Sequence, residues 1–165
     1  MNYSVIRPLD IANGPGIRVS IFVSGCRNHC KGCFNPETWS FMYGQEFTYE
    51  TLLELDRALA DSNIAGLSIL GGDPFEPENI QTVTDICKYA KLHYPGKDVW
   101  VWTGYDFLTD GLIDMDVMNY IDVLVDGRFE ESLKDLRLKW RGSINQRVID
   151  VAESVKRRCA IRYQH

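Results

Sequence analysis

Four short apolar runs stand out along the chain, each rich in Val, Ile, Leu or Trp and each bounded by glycine or polar residues. This pattern is typical of buried β-strands. The runs lie at Ile17–Val23, 66–70, 99–103 and 121–125. We therefore expect four strands whose two faces are both covered.

Two segments between these runs have the apolar spacing of helices. Thr48 is suited to cap a helix that extends to about residue 60. A second helix is predicted after Pro77, and Pro95-Gly96 would end it. The apolar positions are Leu52, Leu55 and Leu59 in the first segment and Ile80, Val83, Cys87, Ala90 and Tyr94 in the second.

The order of strands and helices predicts the fold class. Strands that alternate with helices pair in parallel through right-handed crossovers, so we expect an α/β fold in the form of an open, partial α/β barrel. The 165 residues fit one domain and are too few for a complete eight-fold barrel. In such scaffolds the reactive groups lie in loops at the C-terminal ends of the strands.

Composition and charge narrow the class of protein. The chain does not begin with a basic segment followed by an apolar one, and no apolar run approaches about 20 residues, so a cytoplasmic protein without membrane association is expected. The net charge of −5 argues against general nucleic-acid binding. Residues 128–165 nevertheless carry 10 Lys and Arg against 5 Asp and Glu. This basic segment, around Lys156, Arg157 and Arg158, is either a solvated surface or a docking surface for an acidic partner.

Three of the five cysteines, Cys26, Cys30 and Cys33, fall within eight residues in the spacing C-x3-C-x2-C. The same positions would line one face of a helix, but Gly25 and Gly32 in this segment disfavour a helix. A structural zinc site with a fourth ligand is a second alternative. Three thiolates can also hold a [4Fe-4S] cluster and leave its fourth iron open to another ligand.

The other residues able to complete a zinc site are poorly placed. His29 lies between two of the clustered cysteines, Cys87 falls on the core face of a predicted helix, and Cys159 lies far along the chain. We therefore expect core or surface roles for these three residues.

The spacing of the clustered cysteines resembles the signature of the radical S-adenosylmethionine enzymes. The resemblance implies that Cys26, Cys30 and Cys33 hold three irons of a [4Fe-4S] cluster, while S-adenosyl-L-methionine chelates the fourth through its amino and carboxylate groups. The family often has an aromatic residue just before the third cysteine, where this chain has Gly32. The adenine contacts are therefore expected from the backbone of Gly32, Cys33 and Phe34, with the Phe34 ring as an apolar neighbour.

A second segment, Gly71-Gly72-Asp73-Pro74, follows the second predicted strand. Alone, it could be an ordinary turn. Beside the cysteine loop it resembles the family's Gly-Gly-Glu/Asp segment. The resemblance implies that the backbone at Gly71 and Gly72, together with the Asp73 carboxylate, binds the methionine ammonium group of the cofactor.

Two later strand ends carry further candidates for cofactor binding, namely Thr103, Asp126 and Arg128. The family places groups at these ends that bind the ribose and the methionine carboxylate. Arg128 suits the carboxylate because its guanidinium has the matching charge and fork geometry. Each residue could instead belong to a turn with solvated polar groups.

Further segments resemble the activating enzymes of the anaerobic ribonucleoside-triphosphate reductases, within the family that activates glycyl-radical enzymes. They lie at 13–18, 71–74, 100–105, 123–128 and 140–146. The resemblance implies a single domain of residues 1–165 with a core of about 13–146, and it leaves the structure of the C-terminal tail open. Asn13 stands where a related activase has Asp before Gly-Pro-Gly, so a carboxylate role is not carried over.

The resemblance also implies a reaction and its partners. A donor such as reduced flavodoxin supplies one electron, S-adenosylmethionine is cleaved reductively, and the 5′-deoxyadenosyl radical removes hydrogen from a glycine of the large reductase subunit. No side chain need act as acid or base, and a partial barrel would leave an opening for the partner's glycine loop. Three alternatives stay open: activation of another glycyl-radical enzyme, a radical reaction on a small molecule or peptide, and a non-catalytic zinc-binding adaptor.

Overall fold

The computed structural model describes residues 1–164, so His165, the last residue of the predicted domain, lies outside the described residues. Within residues 1–164 the chain forms a mixed sheet of seven strands and three α-helices. The strands are β1 (Asn2–Asp10), β2 (Ile17–Val23), β3 (Gln45–Glu46), β4 (Ile64–Gly71), β5 (Asp98–Trp102), β6 (Val123–Asp126) and β7 (Arg147–Asp150). The helices are α1 (Tyr49–Leu59), α2 (Ile80–His93) and α3 (Val151–Arg157).

The sheet is open, and its strand order is β3-β1-β2-β4-β5-β6-β7. The four central strands, β2, β4, β5 and β6, pair in parallel, which confirms the predicted pairing and the α/β class. The outer strands pair antiparallel, with β1 and β3 at one edge and β7 at the other. The carboxyl ends of the four parallel strands therefore meet at one edge of the sheet.

The central strands lie close to their predicted positions. β2 has the predicted bounds, β4 is longer at both ends, and β5 begins and ends one residue earlier. β6 begins two residues later than predicted, at Val123. Asp122 lies before it because its N–H donates to the Val99 carbonyl at 2.9 Å while its carboxylate accepts the Val99 N–H at 2.7 Å.

The predicted helices are confirmed, and their ends have local causes. Thr48 caps α1, and the Thr51 hydroxyl accepts the Thr48 N–H at 3.2 Å in a capping box. α2 ends at His93, and Tyr94 is its C-cap residue. Among residues 1–164, no helix is both long enough and apolar enough to cross a membrane.

Several elements were not predicted. β1, β3, β7 and α3 lie outside the recognised pattern, and the connection between β5 and β6 contains two short 3-10 helices, Leu112–Asp114 and Asp116–Tyr120, instead of an α-helix. The tail left open by the sequence is folded, because β7 pairs with β6 and the side chains of Ile149 and Val151 are buried in the core.

The two faces of the sheet have different environments. Val99 and Val101 belong to the main apolar core, which α1, α2 and α3 cover. The alternate residues, Trp100 and Trp102, point to the opposite face and join a second, smaller apolar cluster. Helices therefore cover one face, while the other carries aromatic and polar side chains.

Arg18 is a buried cation on that second face, next to Trp100, and its side chain has no exposed surface. Its guanidinium donates to the Asp98 carboxylate at 2.6 Å, to the Ser68 hydroxyl at 2.7 Å and to the Leu67 carbonyl at 2.9 Å. It also donates to the Pro15 carbonyl at 3.3 Å. Arg18 therefore fixes the Gly-Pro-Gly loop against β4 and β5.

We expect Asp98→Ala to lower the free energy of unfolding by roughly 2–3 kcal/mol, because it leaves the buried guanidinium of Arg18 without its counter-ion. Asp98→Asn, which keeps one carbonyl acceptor, should cost less than half as much. Urea unfolding followed by tryptophan fluorescence measures both. Equal stability of the two variants would contradict this role of the ion pair.

Candidate metal and cofactor site

A cavity of about 550 Å³ opens at the carboxyl ends of the parallel strands, on the face of the sheet opposite the helices. Its volume lies within the range of sites that bind small molecules and cofactors. The residues that line the cavity include Cys26, Asn28, Cys30, Cys33, Phe34, Gly71, Gly72, Asp73, Trp102, Thr103, Trp140 and Arg141.

The three clustered cysteines all line this cavity and are free thiols. Residues 24–35 form no helix, so the alternative of a helix face lined by cysteine is wrong. Backbone hydrogen bonds hold the loop instead: the Gly25 N–H donates to the Thr38 carbonyl at 2.7 Å and the Cys26 N–H to the Trp39 carbonyl at 3.1 Å. The loop therefore rests on the short 3-10 helix Pro36–Trp39.

Burial disfavours the thiolate form of both Cys26 and Cys30. Burial raises the pKa of Cys26 to about 11, although the backbone N–H groups of Asn28 and His29 oppose the shift. Burial also raises the pKa of Cys30, against the N–H of Phe129 and the charge of Arg128. Metal binding must therefore release protons, and the same N–H groups then stabilise the thiolates.

The donor set fits an iron–sulfur cluster. Three cysteine side chains reach one cavity, and within residues 1–164 no three His, Cys, Asp or Glu side chains converge on a single metal ion. Three thiols that share a cavity without converging on one point are compatible with a [4Fe-4S] cluster, because each thiolate then binds a different iron. Cys87 is buried in the core on α2, and Cys159 is exposed near the C-terminus. His29 stacks on Trp39, with 4.5 Å between ring centroids.

A buried glutamate anchors the cysteine loop from the side of β4 and was not recognised in the sequence. Glu76 has no exposed surface, and its carboxylate accepts the Arg27 N–H at 2.6 Å and the Arg27 guanidinium at 2.5 Å. Glu78 accepts the same guanidinium at 2.5 Å. Arg27 follows Cys26 directly in the sequence. Its hydrogen bonds to Glu76 therefore fix the backbone immediately after the first cysteine.

Asp73 connects three strand ends through its two carboxylate oxygens. Oδ1 accepts the Phe75 N–H at 3.0 Å and the Thr103 hydroxyl at 2.8 Å. Oδ2 accepts the Gly104 N–H at 2.9 Å and the Asn28 side-chain amide at 3.0 Å. The carboxylate predicted to bind the cofactor's ammonium group thus has four donors from the protein.

Burial dominates the electrostatics of this carboxylate. Asp73 is 1% exposed, and burial raises its pKa to about 6, even though the N–H groups of Gly104 and Phe75 and the Thr103 hydroxyl favour the ionised form. The nearby charge of Glu76 raises the pKa further. Asp73 is therefore a costly charge whose hydrogen bonds tie the cysteine loop to β4 and β5.

The glycine pair before Asp73 is required by close packing. The Gly72 N–H donates to the Val23 carbonyl at 2.7 Å, and a Cβ on Gly72 would lie 2.6 Å from the Gly25 carbonyl oxygen. Gly71 has φ +113°, a conformation that favours glycine. These glycines bring β4 against the cysteine loop and also expose backbone to the cavity.

The structure divides the residues predicted to contact the cofactor. Cys33, Phe34, Gly71, Gly72, Asp73 and Thr103 line the cavity, whereas Gly32, Asp126 and Arg128 are not among the residues that line it. Gly32 has φ +73°, and a Cβ there would lie 2.8 Å from the Glu131 carboxylate. Its requirement for glycine therefore comes from packing and backbone conformation.

Asp126 has no exposed surface, and its carboxylate accepts the Phe107 N–H and the Arg147 guanidinium, both at 2.9 Å. The ion pair with Arg147 therefore explains why a buried carboxylate lies at the end of β6. Arg128 is exposed, and its Nε donates to the Asn28 side-chain oxygen at 2.8 Å. Asn28, which also binds Asp73, was missed in the sequence, although its position between two cysteines is a signal that could have identified it.

Known proteins similar to this chain were found by sequence comparison. Residues 12–149 match the family described as "4Fe-4S single cluster domain". The chain is 44% identical over 148 residues to the anaerobic ribonucleoside-triphosphate reductase-activating protein of Enterobacteria phage T4, covering 90% of this chain and 93% of that protein. It is 45% identical to the protein of the same name from Escherichia coli strain K12, covering 88% and 96% of the two chains.

Asp73→Asn should change how stability depends on pH. Because the folded-state pKa of about 6 lies above the ordinary value of 3.8, the folded protein holds a proton that the unfolded chain loses between about pH 4 and pH 6. As the pH rises from about 4 to about 6, the wild-type free energy of unfolding should therefore fall by about 3 kcal/mol relative to the variant. The variant has no carboxyl group at this position and does not titrate there. Urea unfolding of the iron-free protein at several pH values measures the difference, and parallel pH profiles would contradict the assignment.

Proposed function

The chain belongs to the family of anaerobic ribonucleoside-triphosphate reductase-activating proteins, and we infer that it activates such a reductase by forming a glycyl radical in it. Family membership over nine-tenths of the chain, together with three free cysteines in one cavity, carries this conclusion. When bound, the reduced [4Fe-4S] cluster and S-adenosyl-L-methionine supply a 5′-deoxyadenosyl radical that removes hydrogen from a glycine of the reductase. The residues of the chain bind, orient and shield these groups.

Cys26, Cys30 and Cys33 are the proposed ligands of three irons. Their positions on one cavity wall support this role, and so do the backbone N–H groups directed at Cys26 and Cys30. Such hydrogen bonds stabilise negative charge on sulfur and tune the potential of a cluster. The cavity can take the remaining ligand of the cluster beside these thiols.

The proposed cofactor contacts fall into two groups. Cys33, Phe34, Gly71, Gly72 and Thr103 line the cavity and are placed to contact S-adenosyl-L-methionine directly. The hydrogen bonds of Asp73 support a different role, in which this carboxylate orients the surrounding loops, while backbone oxygens of the glycine segment receive the ammonium group.

Three predicted site residues that are not among those lining the cavity have separate roles in this proposal. Arg128 is held by Asn28 beside the cysteine loop, which supports a contact with the methionine carboxylate. Gly32 and Asp126 act through the backbone turn and through Arg147, respectively.

The proposed architecture is a single domain that forms an open, partial barrel of the radical S-adenosylmethionine type. The parallel order β2-β4-β5-β6 and the cavity at the carboxyl ends of these strands support it. An open sheet leaves room for a glycine loop of the reductase to approach the cavity. The reacting atoms must come within about 3–3.5 Å of each other, so a backbone substrate needs such an opening.

The electron donor and the location of the protein are further parts of the proposal. A reduced protein donor such as flavodoxin would supply one electron, and the free thiols of all five cysteines favour a reducing compartment such as the cytoplasm. The net charge of −5 supports the prediction that nucleic acid is not a partner.

Cys26→Ala, Cys30→Ala and Cys33→Ala should each abolish 5′-deoxyadenosine formation after anaerobic reconstitution, because each removes a ligand that no neighbouring side chain replaces. Cys159→Ala is the matched control, since that cysteine is exposed and away from the cavity, and it should keep full activity. Full cleavage by any one of the three variants would exclude that cysteine as a ligand.

The same preparations test the reaction as a whole. Electron paramagnetic resonance should show a glycyl doublet in the reductase only when the wild-type protein, a reductant and S-adenosyl-L-methionine are all present. Iron and acid-labile sulfide should copurify with the protein. One zinc per chain without sulfide would instead identify the zinc-binding adaptor, and deoxyadenosine formation without any reductase radical would indicate another substrate.

Arg128→Lys should raise the KM for S-adenosyl-L-methionine by roughly tenfold with little change in kcat, because lysine keeps the charge but loses the fork that binds a carboxylate. Arg137→Lys is the control, because Arg137 is exposed and pairs with Asp135. Initial rates of deoxyadenosine formation give both constants. An unchanged KM would remove Arg128 from the cofactor site.

A further inference from the structure

A second, smaller cavity of about 200 Å³ lies beside the cofactor cavity. Trp140 and Arg141 line both cavities. The other residues that line the smaller one are Lys139, Arg147, Val148, Arg162 and Tyr163. Four of its seven lining residues are cationic and none is acidic, although the chain as a whole has a net charge of −5. We call it the basic cavity.

The walls of the basic cavity are firmly held. The Tyr163 N–H donates to the Val148 carbonyl at 2.9 Å, so the C-terminal segment pairs with β7. Trp140 has φ 60°, a rare backbone conformation for a large side chain. Its carbonyl accepts the Trp102 indole N–H at 2.7 Å, and its ring packs edge-on against Trp100 at 4.9 Å between centroids. These contacts fix the strained residue between the two cavities.

The cations of the basic cavity are only partly neutralised. Arg147 pairs with Asp106 at 2.7 Å and with Asp126. The Arg141 guanidinium donates to the backbone carbonyls of Ile144 and Gln146, which orient it without cancelling its charge. In the described part of the chain, Lys139 and Arg162 have no carboxylate partner, and the Lys139 ammonium lies over the Trp140 ring at 5.9 Å.

The three consecutive cations at the end of α3, Lys156, Arg157 and Arg158, are paired with nearby carboxylates. Lys156 and Arg157 both pair with Glu153, at 3.7 Å and 3.0 Å. Arg158 pairs with Asp114 at 2.5 Å. The sequence left open whether Lys156, Arg157 and Arg158 form a docking surface. Their local pairing makes them a poor candidate, whereas Lys139 and Arg162 of the basic cavity have no such carboxylate partner among the described residues.

The size and position of the basic cavity identify its ligand class. About 200 Å³ is below the usual range for drug-sized ligands, but it can take one or two carboxylate groups. Guanidinium groups bind carboxylates in a forked geometry, and an ammonium group adds a flexible charge. Because Trp140 and Arg141 also line the cofactor cavity, a group bound here lies beside the place where the reductase must present its glycine.

We propose that the basic cavity docks an acidic segment of the reductase and so places the partner over the cofactor cavity. This inference rests on the proposed function. Lys139 and Arg162 attract the acidic segment. Arg141, which lines both cavities, binds its carboxylates next to the cofactor cavity. Complementary charge of this kind mainly accelerates association and makes it depend on ionic strength.

The test compares two double variants, each of which removes two positive charges. Lys139→Gln with Arg162→Gln alters the basic cavity, whereas Lys156→Gln with Arg157→Gln removes two exposed cations in the last turn of α3. The association rate with the intact reductase is measured by surface plasmon resonance at low and high ionic strength. The first variant should associate roughly tenfold more slowly at low ionic strength, the difference should shrink at high ionic strength, and the second should resemble wild type.

Several outcomes would overturn the inference. Equal association rates for the two double variants would show that the position of the charge is irrelevant. A slower reduction by the protein electron donor, with unchanged association with the reductase, would assign the cavity to the donor instead. Wild-type protein that forms no glycyl radical would contradict the proposed function itself, whereas a radical-forming wild type with equal variants would contradict only the docking role.

Discussion

The site depends on one buried carboxylate, that of Asp73. Its four hydrogen bonds join Asn28 of the cysteine loop, the turn after β4 at Phe75 and the end of β5 at Thr103 and Gly104. Burying a charge is costly, so the folded chain keeps it only because all four donors are present together. Loss of one donor affects the other strand ends, because the same two oxygens hold them.

This arrangement also explains the small residues around the site. The Gly104 N–H reaches Asp73 at 2.9 Å, and a Cβ on Gly104 would run into the Asn28 side chain. Gly72 is confined in the same way by the Gly25 carbonyl. The glycines therefore serve two needs, since they allow three strand ends to approach one another and leave backbone accessible to a ligand in the cavity.

The sequence predicted the centre of the fold better than its edges. Strands such as β2 are continuous apolar runs because both faces are covered, whereas β1 includes Arg7, Pro8 and other exposed positions and gives no such signal. The cysteine loop was identified because its spacing is local. Asp126 shows the limit: its charge and place at a strand end suggested a ligand, but its partner Arg147 lies 21 residues later and only the fold brings them together.

The cysteine loop is held from three sides by residues far away in the chain. Glu76 binds Arg27, Asp73 binds Asn28, and the segment after β6 contributes Arg128 to Asn28. Residues 24–35 of the loop form no helix or strand of their own. Its thiols therefore adopt their relative positions only when β4, β5 and β6 are in place, so a metal site formed by them does not exist in the unfolded chain. Binding of a cluster must then favour the folded sheet, because a ligand that binds only the folded state stabilises that state.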